Sequence, residues 1–254
     1  MVAAAGMMPG FGARAAALIA PLLLVLLLVA LPPGTGAAAR ASEPIPRDDP
    51  ETMLRIATDR LLAISREARS YAESDRERYY AAVEAVLDQV VDIPFFARAV
   101  MATYASARLY QSLGSDAERR ALREQVARFE TVLKRVFMVK YADALLAFEG
   151  ERIDISRVTG DRDDPQRATV QQVIYDRAGT DYRVQYSLHR ADDGGWLVRN
   201  VIVEDVNLGL IYRNQFAEAV EQNAGDVDYV IDHWVRLMTA RNGEEDAAPA
   251  GSRE

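Results

Sequence analysis

Few residues in this chain carry reactive side chains. Its 254 residues include two histidines and no cysteine, which removes thiol nucleophiles, thiolate metal sites and disulfides from consideration. His189 lies on the polar side of an alternating stretch and His233 in a late helical pattern, and neither stands in a Gly-x-Ser-x-Gly or His-Glu-x-x-His setting. Both read as ordinary surface side chains. The acidic cluster Asp161, Asp163 and Asp164 has the density of a calcium loop but lacks the glutamate such a loop needs at its twelfth position, so a solvated turn is the better reading. Asp205 ends a strongly apolar run. Buried at a cavity mouth, it could act as a general base; at a turn it would cap the following helix, which is the preferred reading. Polar chemistry is thin, and the strongest signals are apolar.

The densest of these is residues 196–216, WLVRNVIVEDVNLGLIYRNQF. Leu197, Val198, Val201, Ile202, Val203 and Val206 form a run too continuous for a strand with one wet face, which predicts apolar contacts on both faces. Asn207-Leu208-Gly209 makes a turn, after which Tyr212, Phe216 and Val220 recur at helical spacing. Upstream, Leu122, Val126, Phe129, Leu133, Val136, Phe137, Tyr141, Leu145 and Phe148 predict one long helix over 122–148. A strand roofed by aromatic helices can line an apolar pocket, or it can be plain core. The candidate pocket residues are Phe137, Tyr141, Val201, Val203, Tyr212 and Phe216, with Val201 and Val203 on one strand face and Ile202 on the other.

The elements that must hold these residues follow from period and punctuation. Asp49, Pro50 and Glu51 start a helix whose inner face carries Leu54, Ala57, Leu61, Ile64 and Ala68. A second helix begins near Arg76, with Tyr80, Val83, Leu87, Val90 and Val91 inward, and Pro94 opens a third. After residue 150 the period falls to two, giving four strand candidates at 152–158, 167–177, 181–190 and 196–206. Short Gly and Asp turns between them favour an antiparallel meander. Closing helices are predicted over 210–222 and 226–238, separated by Gly225-Asp226, and residues 241–254 read as a disordered tail. The fold class is therefore α+β: a helical part over about 50–148, then a curved four-stranded sheet and closing helices over about 151–240.

The opening segment belongs to none of this. Arg14 precedes an apolar run over 15–31, then Pro32-Pro33-Gly34 and two small-x-small sites, so residues 1–41 read as a Sec-type signal peptide cleaved near residue 39 or 41. The leader takes Arg14 and Arg40, leaving 28 of the 30 basic residues against all 38 acidic ones, a net charge of −10. Such a chain is soluble and is repelled by nucleic acid and anionic surfaces.

Trp196-Leu197-Val198, the apolar strand, the small turn and Tyr212-Arg213-Asn214-Gln215-Phe216 resemble the C-terminal signature of the MlaC family. These are periplasmic phospholipid carriers, also described as toluene-tolerance auxiliary components of an ABC transport system. Their pattern runs near Trp-x-Val-x-Asp, Glu-Gly-Val-Ser-Leu and Tyr-Arg-x-Gln-Phe; here Asn200 replaces the aspartate, Asp205 the glycine and Asn207 the serine. The spacing of Phe129, Leu133, Phe137 and Tyr141 resembles the family's central helix, and Asp92 with Phe95 and Phe96 its aspartate-aromatic turn. Where members carry Leu-Gly and Trp-Arg, this chain has Ala105-Ser106 and Leu109-Tyr110.

The resemblance covers about residues 50–234. It implies an NTF2-like sheet beside a helical half with lipid tails between them. It also implies a soluble periplasmic monomer that shuttles phospholipid between an outer-membrane lipoprotein complex and an inner-membrane ABC transporter complex. No enzyme activity, cofactor, metal or nucleic-acid partner is expected. Two alternatives stay open: a polycyclic cargo such as a hopanoid, and a cavity enzyme, since NTF2-like sheets also host isomerases and hydratases.

Overall fold

The structure, a computed structural model, describes residues 43–148, 152–158, 164–176 and 180–247. The expected leader, Asp161, Asp163 and the end of the expected tail lie outside the described residues. The first helices follow the predicted punctuation closely. Asp49 accepts from the Thr52 amide at 2.8 Å and starts α1 (Pro50–Ala68). Asp75 caps α2 (Arg76–Val90), and Asp92 caps α3 (Ile93–Met101) through the Phe95 amide at 3.0 Å. A 3₁₀ turn (Ala102–Ala105) and the short α4 (Ala107–Ser112) follow.

The long helix differs from expectation at both ends. It begins earlier, as α5 (Asp116–Phe137), because Ser115 and Glu118 form a reciprocal capping box ahead of the first apolar position. Its hydrogen bonding then slips into a π-helical segment at Met138–Ala142 before the short α6 (Asp143–Ala147). Carbonyls at the end of the π segment and of α6 find side-chain donors on α1, its C-cap and α2. Tyr79 donates to the Ala142 carbonyl and the buried Ser65 to the Leu145 carbonyl, both at 2.7 Å, while Arg69 reaches those of Leu146 and Phe148.

The sheet is the predicted antiparallel meander with one more strand than expected: β1 (Arg152–Arg157), β2 (Arg167–Tyr175), β3 (Asp181–Arg190), β4 (Trp196–Val203) and β5 (Val206–Asn207), in that spatial order. The fourth strand does not continue through Val206 but folds back, pairing Val203 with Val206 and Ile202 with Asn207. Glu204 and Asp205 occupy this two-residue turn with φ of 46° and 67°; two positive φ values are what the right-handed twist of a tight hairpin requires. Asp205 is exposed here and does not cap the next helix. That role falls to Asn207, whose side chain accepts from the Leu210 amide at the start of α7 (Leu208–Gln222). The last helix, α8 (Val227–Ala247), continues into the stretch assigned to a tail, since Ala240, Arg241, Glu244, Glu245 and Ala247 are good helix formers.

A β-bulge corrects the reading of the apolar run. Leu188 pairs with Val198 but Ser187 pairs with Asn200, so Arg199 is the extra residue. The insertion shifts the phase of alternation, and Trp196, Val198, Val201 and Val203 all stand opposite the inward-facing Leu188, Tyr186 and Val184 or their neighbours. Leu197 and Ile202 lie on the other side and are only half-buried, so the strand is not sealed on both faces.

Two cores result. One joins the inner sheet face to α1, α2 and the π segment; the other packs Phe129, Phe216 and Trp234 from α5, α7 and α8, with ring centroids 4.9–5.7 Å apart. Truncating one of these rings to alanine costs about 3–5 kcal/mol. The hairpin supplies a smaller test. Because Asp205 sits in the left-handed region, Asp205→Gly is expected to raise the urea unfolding midpoint by the equivalent of about 0.5–1 kcal/mol; a lower midpoint would show that the aspartate makes a compensating contact.

Candidate functional site

An apolar cavity lies where the two cores meet. Its walls are Leu54, Ala57, Thr58 and Leu61 of α1, Val83, Leu87 and Val90 of α2, Val91, and Ile93 and Phe96 of α3. Opposite them stand Phe137, Met138, Tyr141, Ala142 and Leu145, with Tyr186, Val198, Asn200 and Val201 from the sheet and Leu208 and Tyr212 from α7. The space amounts to about 1160 Å³ with its open mouth included, but the centre of a water-sized sphere can range over only about 140 Å³ of it. The walls stand close together, as a slot rather than a chamber.

Local sequence explains how each wall is aimed. Phe137, Met138, Tyr141, Ala142 and Leu145 all face the slot, and the π-helical segment Met138–Ala142 falls within this wall. The bulge at Arg199 brings Val198, Asn200 and Val201 to the same wall. Tyr212 is delivered by the start of α7, where the Gly209 amide donates to Asn200 Oδ1 at 3.2 Å. A Cβ at Gly209 would stand 2.7 Å from that oxygen, so a larger residue there would displace the Asn200 amide. Outside the slot, the Arg199 guanidinium pairs with Asp92 at 2.8 Å and stacks over Phe95, holding α3 against β4.

Four of the six residues singled out from sequence line the slot: Phe137, Tyr141, Val201 and Tyr212. Val203 and Phe216 do not. Val203 faces inward but lies past the slot, fully packed, next to the hairpin turn. Phe216 is one helical turn beyond Tyr212, which places it in the second core against Tyr104, Phe129 and Trp234. The contributions of α1, α2 and Phe96 were not singled out; their apolar faces were visible, but such a face has the same pattern whether it meets a neighbour or a cavity.

Among the described residues the polar features of the slot are Thr58, Asn200 and three tyrosine hydroxyls, and no charged residue lines it. Tyr141 and Tyr212 share a hydrogen bond at 2.7 Å, and Tyr186 donates to Gln172 Oε1 at 2.6 Å. Burial pushes the Tyr141 phenol up to about 12, against a lowering by its bond to Tyr212, and raises Tyr212 well above its ordinary value. Tyr141 is half-buried by area. The candidate acid-base groups are elsewhere: His189 bonds the Arg190 carbonyl, His233 stacks on Tyr229 at 4.0 Å, and Asp205 is in its exposed turn. Among the described residues no group of three His, Asp or Glu could hold a metal.

Comparison with known proteins agrees with this geometry. A family model described as MlaC protein matches residues 55–236. The chain belongs to the MlaC family. Among MlaC relatives it is 30% identical over 226 residues to the toluene tolerance protein Ttg2D of Pseudomonas putida, covering 89% of this chain and 94% of that protein. The fold is shared with the phospholipid-binding protein from Ralstonia solanacearum, solved in complex with a phospholipid, at 17% identity and a TM-score of 0.56 over 78% of this chain and 99% of that one.

The tyrosine pair makes stability fall at high pH. Its folded-state pKa values are raised, so the stability it contributes is complete below the ordinary phenol value of about 10 and is lost as the pH rises through about 12. The urea midpoint of the wild type is expected to fall across that window, and Tyr141→Phe with Tyr212→Phe together should make the fall less steep. Equal slopes for the two proteins would place the alkaline sensitivity elsewhere.

Proposed function

We propose that this protein is a soluble periplasmic carrier that encloses phospholipid acyl chains in the slot between its sheet and helices. In this reading it passes lipid between an outer-membrane lipoprotein complex and an inner-membrane ABC transporter complex. The observation that carries the reading is the slot itself: walls from both cores and no charged side chain among them. Acyl chains need only apolar surface, and each methylene hidden from water is worth about 0.8 kcal/mol, so a two-tailed lipid is held with slow spontaneous release. The headgroup stays outside, which removes any need for a buried ion pair. The phospholipid-binding fold relative and the toluene tolerance relative support the same class.

A carrier also accounts for what the slot does not contain. The carboxylate and histidines that could have served a cavity enzyme as general base, Asp205, His189 and His233, all lie outside the slot. Among the described residues no helix is long and apolar enough to cross a membrane, in keeping with a protein that travels between two membranes.

Filling the slot tests the reading. Val201→Trp places an indole in the cavity wall and is expected to lower co-purifying phospholipid several-fold, measured by native mass spectrometry and lipid extraction, with far-UV circular dichroism unchanged. Ile202→Trp, on the opposite face of the same strand, should leave lipid occupancy near that of the wild type. Equal occupancy in the two folded variants, or a bound lipid converted chemically over time, would count against an acyl-chain carrier.

A further inference from the structure

The tyrosine pair has one hydroxyl hydrogen too many. Tyr141 and Tyr212 bring two O–H groups to a single mutual bond of 2.7 Å, which spends one hydrogen and leaves the other. Neither hydroxyl has another partner among the described residues. The surroundings are apolar: the Phe137 ring lies 5.7 Å from Tyr212 and 6.2 Å from Tyr141, and Phe96 lies 6.4 Å from Tyr212. A donor left unpaired in such a wall carries a desolvation cost, which an acceptor brought by a ligand recovers.

The position of the pair says which part of a lipid would bring that acceptor. Tyr212 is buried, whereas Tyr141 and the neighbouring Lys140 keep part of their surface open, so the pair stands toward the open end of the slot. With acyl chains inside and a headgroup outside, that end is where the linkage between glycerol and chains comes to rest. An ester linkage offers a carbonyl oxygen, a good acceptor without a hydrogen of its own; an ether oxygen is a poorer one, and a polycyclic hydrocarbon skeleton has none.

We propose that the Tyr141–Tyr212 hydroxyl pair binds an acyl ester carbonyl, which makes ester-linked glycerolipid the cargo class and sets the depth to which the chains enter. The inference rests on the carrier reading and adds a chemical selection to it. Delipidated full-length mature protein is incubated with vesicles of equal parts dioleoyl phosphatidylcholine and its dialkyl-ether counterpart, and the bound lipids are extracted and weighed by mass spectrometry. Headgroup and chain length are the same in both, so only the carbonyl differs. Wild type is expected to favour the ester by about threefold to tenfold, the worth of one hydrogen bond. In the double variant Tyr141→Phe/Tyr212→Phe the ester-to-ether ratio among whatever lipid binds should fall to about one. Removing both hydroxyls together leaves no orphaned partner, so the variant should fold; Tyr212→Phe alone, which keeps one donor, should retain part of the preference. Binding of both lipids by wild type without preference overturns this inference and spares the carrier reading, as does a preference that survives in the double variant. Failure of wild type to bind either lipid overturns both.

Discussion

One extra residue in a strand governs how the two halves of this protein meet. With Arg199 bulged out of the β3–β4 pairing, Trp196 and Val198 before it and Val201 and Val203 after it all present to the same side, and an apolar run that would have split between two faces becomes one wall. The displaced side chain then serves on the outside, where its guanidinium holds Asp92 and covers Phe95. The junction of α2 and α3 is fastened to the same place through the Asp92 amide, which donates to the Val198 carbonyl at 2.9 Å. Next to the bulge, Asn200 reaches the first turn of α7. Sheet, α3 and α7 are thus registered against each other at one point, and the slot opens beside it.

Much of the frame was legible because its signals are local. A cap such as Asp49, Asp92 or Asp226 satisfies amides within three residues of itself, so the chemistry of a helix start can be read without knowing the fold. The meander was equally readable from alternation and short turns. The three departures from the family signature also obey local rules. Asn200 keeps an acceptor oxygen for the Gly209 amide, Asn207 keeps an N-cap, and Asp205 stands at a positive φ where the family has glycine. Each substitution preserves a backbone requirement, which is why the resemblance survived them.

The slot itself was only partly legible, since it depends on what elements far apart in sequence place opposite each other. A helix period continued unbroken through Met138 misses the π slip, and strict alternation through Arg199 misses the bulge. Both irregularities lie in walls of the slot, and the bulge turns side chains toward it. Val203 and Phe216 satisfy every local criterion that Val201 and Tyr212 satisfy, yet lie one strand pair and one helical turn too far along. Hydrophobicity records that a residue leaves water, and says nothing of whether protein or cargo takes water's place.

Phe137 belongs to the margin of both cores, touching the sheet-side cluster on one flank and the aromatic helical cluster on the other. Where a domain has two packed bodies joined along a single seam, swelling is anisotropic: each body can keep its own side-chain contacts while the seam parts. Close packing inside each core resists deformation, so the compliance of the molecule concentrates along the line that runs past this one ring.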